Sequence, residues 1–300
     1  MSAKKKLLSN VIVIAALELL IMYLGMFVQT ILQLLAVLCF RSYTGMDSEF
    51  FETWTHYASF IVPILLFLVF MRLTNREALK IFSMGTAEKR VRNVFLGLIA
   101  GTLVNSFLCV IVWTSGSVKL TFTGFSWRFL IVLASVFIQA TAEEVALRGF
   151  LTSYLEGTHR WYAIALTGGM LFIFHHVANM MAYGFSVVFC LNVFLIGIAL
   201  YLMMKLTRSF WICCGFHTGW NFTQEFVFGL PNSGNSSGLA ILRGSEETKS
   251  FFFDPVYGNE GCLFCTVMCI ILIFFLLLRF KKRSADGRNL LEETMLTGGL

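Results

Sequence analysis

The 300-residue chain is 57% hydrophobic and only 13% charged, with a formal net charge of +6 and a mean hydropathy of +0.77. A soluble domain of this size has no use for so much apolar surface, so the composition marks a polytopic membrane protein. Proline is scarce (3), phenylalanine abundant (32), and the apolar runs are long and continuous. These features predict an all-α bundle and exclude the short alternating segments of a membrane β-barrel.

The chain opens with MSAKKKLLSN and stays apolar to about residue 40. A signal-peptide core is roughly 7–15 residues long and ends at a small-residue cleavage site; this run has neither property and reads as a retained first span. Runs of about 20 apolar residues are long enough to cross a bilayer. They predict eight helices, at 10–40, 52–72, 93–115, 127–157, 161–181, 184–205, 209–230 and 261–280. The first and fourth exceed the required length, which implies tilt or extension beyond the bilayer. Four regions follow: 1–126 with three N-terminal spans, 127–230 as the chemical core, 231–260 as a polar outer loop, and 261–300 as the last span and a cytoplasmic tail. The tail, SADGRNLLEETMLTGGL, is polar and expected to be mobile.

Lysine and arginine favour the cytoplasmic side of a membrane. With the N-terminus inside, the inner segments hold Lys4–Lys6, the cluster from Arg72 to Arg92, Arg160, Lys205, Arg208 and the run from Arg279 to Arg288. The outer segments hold only Arg41, Lys119, Arg128, Arg243 and Lys249. Both termini are therefore expected in the cytoplasm. The net positive charge is explained by this bias and by anionic lipid, with no call for a nucleic-acid partner. The outer loop contains Asn235 in an NSS sequence, formally a glycosylation acceptor in a secretory compartment. All eight cysteines lie in or beside apolar segments and read as small buried hydrophobes; Cys262 and Cys265 form a CxxC with no second pair to complete a zinc site.

A charge at bilayer depth costs about 2.5–3.5 kcal/mol even on the lenient scale, so each one needs a partner or a job. The predicted spans contain Glu18, Glu143, Glu144, Arg148, His175, His176, His217, Asn221 and Glu225. Within ATAEEVALRGFL, Glu144 and Arg148 are four residues apart and can neutralise each other. Glu143 lies about 100° further round the helix, with no cation on its own face, and requires a histidine from a neighbouring helix. Candidates are His176 in LFIFHHVANM, four residues after Phe172, and His217 in CCGFHTGWNF, four residues before Asn221. At ~1.5 Å rise per residue, His217, His176 and Glu143 lie roughly 12, 22 and 18–21 Å from the inner ends of their spans. These depths are compatible with one water-filled cavity reached from the cytoplasmic side. His175 is expected to pack or to face a neighbouring helix, and Glu225 to sit at a wet helix end near the outer mouth. Glu18 and Glu260 receive no role.

A carboxylate beside an imidazole can deprotonate water, and a second histidine with an asparagine amide can stabilise the resulting oxyanion. Those are the parts for peptide hydrolysis without a covalent intermediate. A Glu/His/His set can also ligate zinc, but no HExxH accompanies it and no metal or other cofactor is assigned.

The motifs EEVALR, FIFHH and HTGWN resemble, in order, the EExxxR, FxxxH and HxxxN motifs of the CPBP family, the CAAX-protease and bacteriocin-processing (Abi) intramembrane proteins. The resemblance runs over about 127–230. It implies an intramembrane glutamate-type endopeptidase of the cell membrane, with Glu143 as general base helped by His176, and His217 and Asn221 at the oxyanion. Glu144, Arg148 and Phe172 would support them. The implied substrate is a membrane-embedded or lipidated peptide. Eukaryotic relatives trim prenylated CAAX proteins, and bacterial ones are linked to bacteriocin maturation and immunity. The alternative it leaves is a non-proteolytic scaffold or immunity protein that binds a membrane signalling partner such as a sensor kinase. The chain without targeting signals suggests a bacterial plasma membrane.

Overall fold

The computed structural model describes residues 8, 10–44, 47–245 and 248–296, with side chains from 40–44 and 283–296 left aside. Lys4–Lys6, expected to orient the N-terminus, lie outside the described residues, as do 297–300 of the tail. In chain order the helices are α1 (Val11–Thr44), α2 (Ser48–Ala58), α3 (Ile61–Thr74), α4 (Ala87–Thr114), α5 (Arg128–Glu144), α6 (Leu151–Leu155), α7 (Trp161–His175), α8 (Val177–Tyr183), α9 (Val187–Thr207), α10 (Trp211–Phe222) and α11 (Leu263–Leu296). A single two-stranded antiparallel ribbon joins β1 (Lys119–Phe122) to β2 (Leu242–Ser245), with Lys119 opposite Ser245 and Phe122 opposite Leu242.

The all-α polytopic reading holds, with differences in detail. Among the described residues six helices are long and apolar enough to cross a membrane, and a seventh span is made if α7 and α8, bent by 40° at His176, are taken together. The expected span at 209–230 is α10 continued by a π-helical turn, Thr223–Val227. The overlong fourth span also carries a π turn, Val145–Phe150, between α5 and α6. Part of the tail expected to be mobile continues α11 as helix to Leu296.

Two helices come closest. Gly97 and Gly101 of α4 face Gly215 and Gly219 of α10, and backbone meets backbone along this seam. A methyl group at Gly101 would stand 2.0 Å from the Phe216 carbonyl oxygen, and one at Gly215 2.0 Å from the Val94 carbonyl oxygen. In lipid, where helices gain nothing by hiding from water, such small-residue stripes let van der Waals packing hold them together. Further along α4, the Asn105 amide donates to Gln224 Oε1 (2.9 Å), which ties the second π turn to the same seam.

The connections sort into two ends. At the basic end, Phe82 of the turn 76–83 accepts from Trp211 Nε1 (2.7 Å), Lys205 pairs with Glu156, and Trp161 packs on Phe280. At the opposite end lie the ribbon, the Ser117–Ser250 hydroxyl pair (2.8 Å) and the Tyr257 hydroxyl bond to the Gly184 carbonyl. The segment expected as a polar outer loop, 231–260, folds back into the bundle over its described residues and buries Asn232, Phe253, Asp254, Tyr257, Asn259 and Glu260. Asn192 of α9 anchors it by donating to the carbonyls of Glu260 (2.8 Å) and Cys262 (2.9 Å).

Forcing a larger side chain into a packed seam costs on the order of 1–3 kcal/mol, and more where backbone is the obstacle. Gly101→Leu is therefore expected to lower Tm in detergent and weaken whatever activity depends on α10. Gly168→Ala, whose added carbon meets only Leu151 Cδ2 at 3.4 Å, leaves Tm nearly unchanged. Equal Tm values for the two variants would contradict the close-packing account.

Candidate active site

The last turn of α5 places Glu143 and Glu144 side by side, 7% and 0% exposed, just before the first π turn. Arg148, inside that turn, donates to Glu144 Oε1 (3.2 Å) and to the Gly197 carbonyl of α9 (2.9 Å). Its guanidinium also lies 5.3 Å from the Phe172 ring centroid. The expected i, i+4 pair is thus present, and a buried guanidinium with two acceptors and an aromatic face is well compensated.

His217 bridges the two acids. Its Nδ1 bonds Glu144 Oε1 (2.9 Å) and its Nε2 stands 3.5 Å from Glu143 Oε2. A carboxylate oxygen only accepts, so Nδ1 carries hydrogen and the ring meets the cavity through Nε2. Glu144, expected only as the partner of Arg148, therefore also orients His217. Because Gly215 and Gly219 press α10 onto α4, His217, midway between them, is held at a fixed height beside α5.

Gln139, one turn before Glu143, completes the network, and no sequence motif pointed to it. Its Nε2 donates to Glu143 Oε1 (2.9 Å), while its Oε1 accepts from Asn221 Nδ2 (3.1 Å). A continuous polar chain results: Asn221, Gln139, Glu143, His217, Glu144, Arg148.

His176 sits at the bend between α7 and α8. Its Nδ1 donates to the Phe172 carbonyl (2.8 Å), which makes Nε2 the basic nitrogen of the neutral ring. The Phe172 ring packs edge-on against both His176 and His217, with centroids 5.1 and 5.7 Å apart. The FxxxH spacing thus sets the His176 tautomer through its backbone and spaces the two imidazoles through its side chain. The imidazole recorded beside Glu143 is that of His217; His176 lines the same cavity from the α7 side.

Three acids read without a role from sequence have definite partners. Glu18 of α1 bonds His175 Nε2 (2.7 Å), which explains the first histidine of the HH pair. Glu260 accepts from Trp220 Nε1 (3.0 Å) and Ser233 Oγ (2.5 Å), and burial pushes its carboxyl above the usual range. Glu225 is not at a wet helix end: it is 3% exposed and accepts from the Tyr57 hydroxyl (2.5 Å), because the 231–262 segment covers it.

All these groups except Glu144, Arg148, Glu18 and Glu225 line one cavity of about 130 Å³. The cavity also touches Met22, Met26, His56, Asn179 and Asn235. No lining residue comes from the turns at the basic end, whereas Asn232, Ser233, Asn235 and Glu260 belong to the segment that caps the other one. Seven cysteines are wholly or partly buried free thiols, but Cys39, expected to be a buried hydrophobe, is exposed. Among the described residues no group of three or more His, Cys, Asp or Glu side chains is arranged to hold a metal ion.

Removing one partner of a buried ion pair costs about 3–5 kcal/mol, because the other charge is left uncompensated. Arg148→Met is expected to destabilise the protein by that order, and Arg148→Met/Glu144→Gln by clearly less. Thermal unfolding in one detergent checks this; a double variant as unstable as the single would show that the loss is packing rather than charge.

Residues 125–223 match the family model described as Type II CAAX prenyl endopeptidase Rce1-like. The matched segment holds all three motifs and Gln139, and ends before Glu225, the capping segment and Glu260. No curated protein matches the chain.

Proposed function

We propose that this membrane protein, with a CPBP-type core that is Rce1-like over residues 125–223, is an intramembrane endopeptidase. It hydrolyses a peptide bond of a membrane-associated or lipidated substrate with water activated by glutamate and histidine. The observation that carries the reading is the buried chain from Asn221 through Gln139, Glu143, His217 and Glu144 to Arg148. A purely structural bundle gains nothing from burying it, since apolar replacements of buried ionic groups are often neutral or stabilising.

Each group has a task in this reading. Gln139 fixes Glu143 Oε1, leaving Oε2 to take a proton from water as the water oxygen attacks the scissile carbonyl carbon. His176 Nε2 accepts the second hydrogen of that water and orients it. The oxyanion that forms is met by the Asn221 amide and by His217, which in its protonated form donates through Nε2–H while Nδ1–H stays on Glu144; Gln139 and Glu144 hold the two donors in advance. When the C–N bond breaks, Glu143 returns its proton to the departing amine. Arg148 pairs with Glu144 and holds it in place, and its contact with Phe172 links that support to the FxxxH segment.

A quenched fluorescent peptide ending in a prenylated CAAX sequence tests the reading on the purified protein in nanodiscs. Wild type is expected to cleave it. Glu143→Gln should lose roughly 10²–10⁴-fold in kcat, and Gln139→Leu roughly 10- to 100-fold through misplacement of the base, both with Tm close to wild type. Glu143→Gln cleaving at the wild-type rate would overturn the assignment.

A further inference from the structure

The catalytic cavity and the positive charges lie at opposite ends of the bundle. Among the Lys and Arg residues whose side chains are described, twelve lie in or beside the connections at the basic end (Arg72 to Arg92, Arg160, Lys205, Arg208, Arg279, Lys281 and Lys282), four lie at the opposite end (Lys119, Arg128, Arg243 and Lys249), and Arg148 is internal. The contacts of Phe82 with Trp211 and of Lys205 with Glu156 hold those basic turns together as one surface. Leu200, Phe216 and Phe172 are apolar parts of the cavity lining.

The mouth has a different make-up. The polar lining groups that are only partly buried are His56, Asn179 and Asn235. Asn179 donates to the Ser233 carbonyl (2.6 Å), so the rim is tied to the capping segment. His56, Tyr57 and Asn235 also line an adjoining polar recess of about 330 Å³, shared with Glu52, Glu225 and Ser236. The cavity and this recess share His56, Tyr57 and Asn235, and the recess reaches the exposed Ser236.

Lysine and arginine in short connections mark the cytoplasmic face. We infer that the site receives its substrate from the opposite, extracytoplasmic face, so that its substrate is a membrane-held peptide whose scissile segment emerges there and not the C-terminal tail of a cytoplasmic protein. The substrate class rests on the protease reading; the side of the mouth rests on charge and geometry alone.

Two measurements separate these claims. In a Cys39→Ser/Cys190→Ser background the six remaining cysteines are buried. Ser236→Cys then places a thiol at the recess, and Met84→Cys one at the basic end, both at exposed positions. A membrane-impermeant maleimide is expected to label Ser236→Cys in sealed right-side-out vesicles and Met84→Cys in inverted ones. The reverse pattern overturns the inference. In the same vesicles, the prenylated quenched peptide, made impermeant by a sulfonated fluorophore, is expected to be cleaved from the right-side-out face and not from the inverted face until detergent is added. Cleavage from the inverted face alone overturns the inference while the protease reading stands. No cleavage even in detergent overturns the protease reading, and the maleimide pattern then decides the side of the mouth by itself.

Discussion

The backbone contact between α4 and α10 is the constraint on which the site depends. Where Gly97 and Gly101 meet Gly215 and Gly219, no side chain separates the helices, so α10 cannot slide or rotate without backbone overlap. His217 lies within that glycine pair and Asn221 one turn beyond. Their positions against α5 are therefore set by main-chain contact, the least compressible kind, and not by flexible side chains. A 3.5 Å approach between His217 and Glu143 is meaningful only if both helices are held this way.

Around that seam, burial of charge is made tolerable by pairing each ion twice. Glu144 meets Arg148 and His217, Arg148 meets Glu144 and the Gly197 carbonyl, and Glu143 meets Gln139 and His217. No member is left as an isolated charge, yet Glu143 Oε2 keeps one side toward the cavity. In the proposed reading, structural compensation and chemistry are divided between adjacent residues: Glu144 is bound into the framework, and Glu143 is left to meet water. Both π turns fall directly after these residues, a position where such turns often re-aim side chains at functional sites.

Local pairings were legible in the sequence because they follow helical spacing. Glu144 with Arg148 and Phe172 with His176 needed only a turn of helix, and both are found. Pairings between distant elements were not legible: Glu18 with His175, Tyr57 with Glu225 and Trp220 with Glu260 join residues 40 to 168 positions apart. Gln139 was overlooked because a glutamine in an apolar run reads as a tolerated polar residue. Glu225 was misread because polarity in 231–260 suggested an outer loop, whereas its aromatic and glycine content lets it turn back over the bundle. The bend at His176 and the two π turns leave no mark on apolar periodicity, so they were not legible in it. Depth along each helix placed the polar groups at similar levels but said nothing about which end was open.

The central claim is that Glu143 is present to cut peptide bonds. Its most direct test compares wild type with Glu143→Gln at equal membrane levels and maps new peptide termini across the membrane proteome by mass spectrometry. The account predicts a small set of termini present with wild type and absent with the variant, derived from membrane-associated or lipidated proteins. Identical termini in the two samples, with both proteins folded in the membrane, would contradict it.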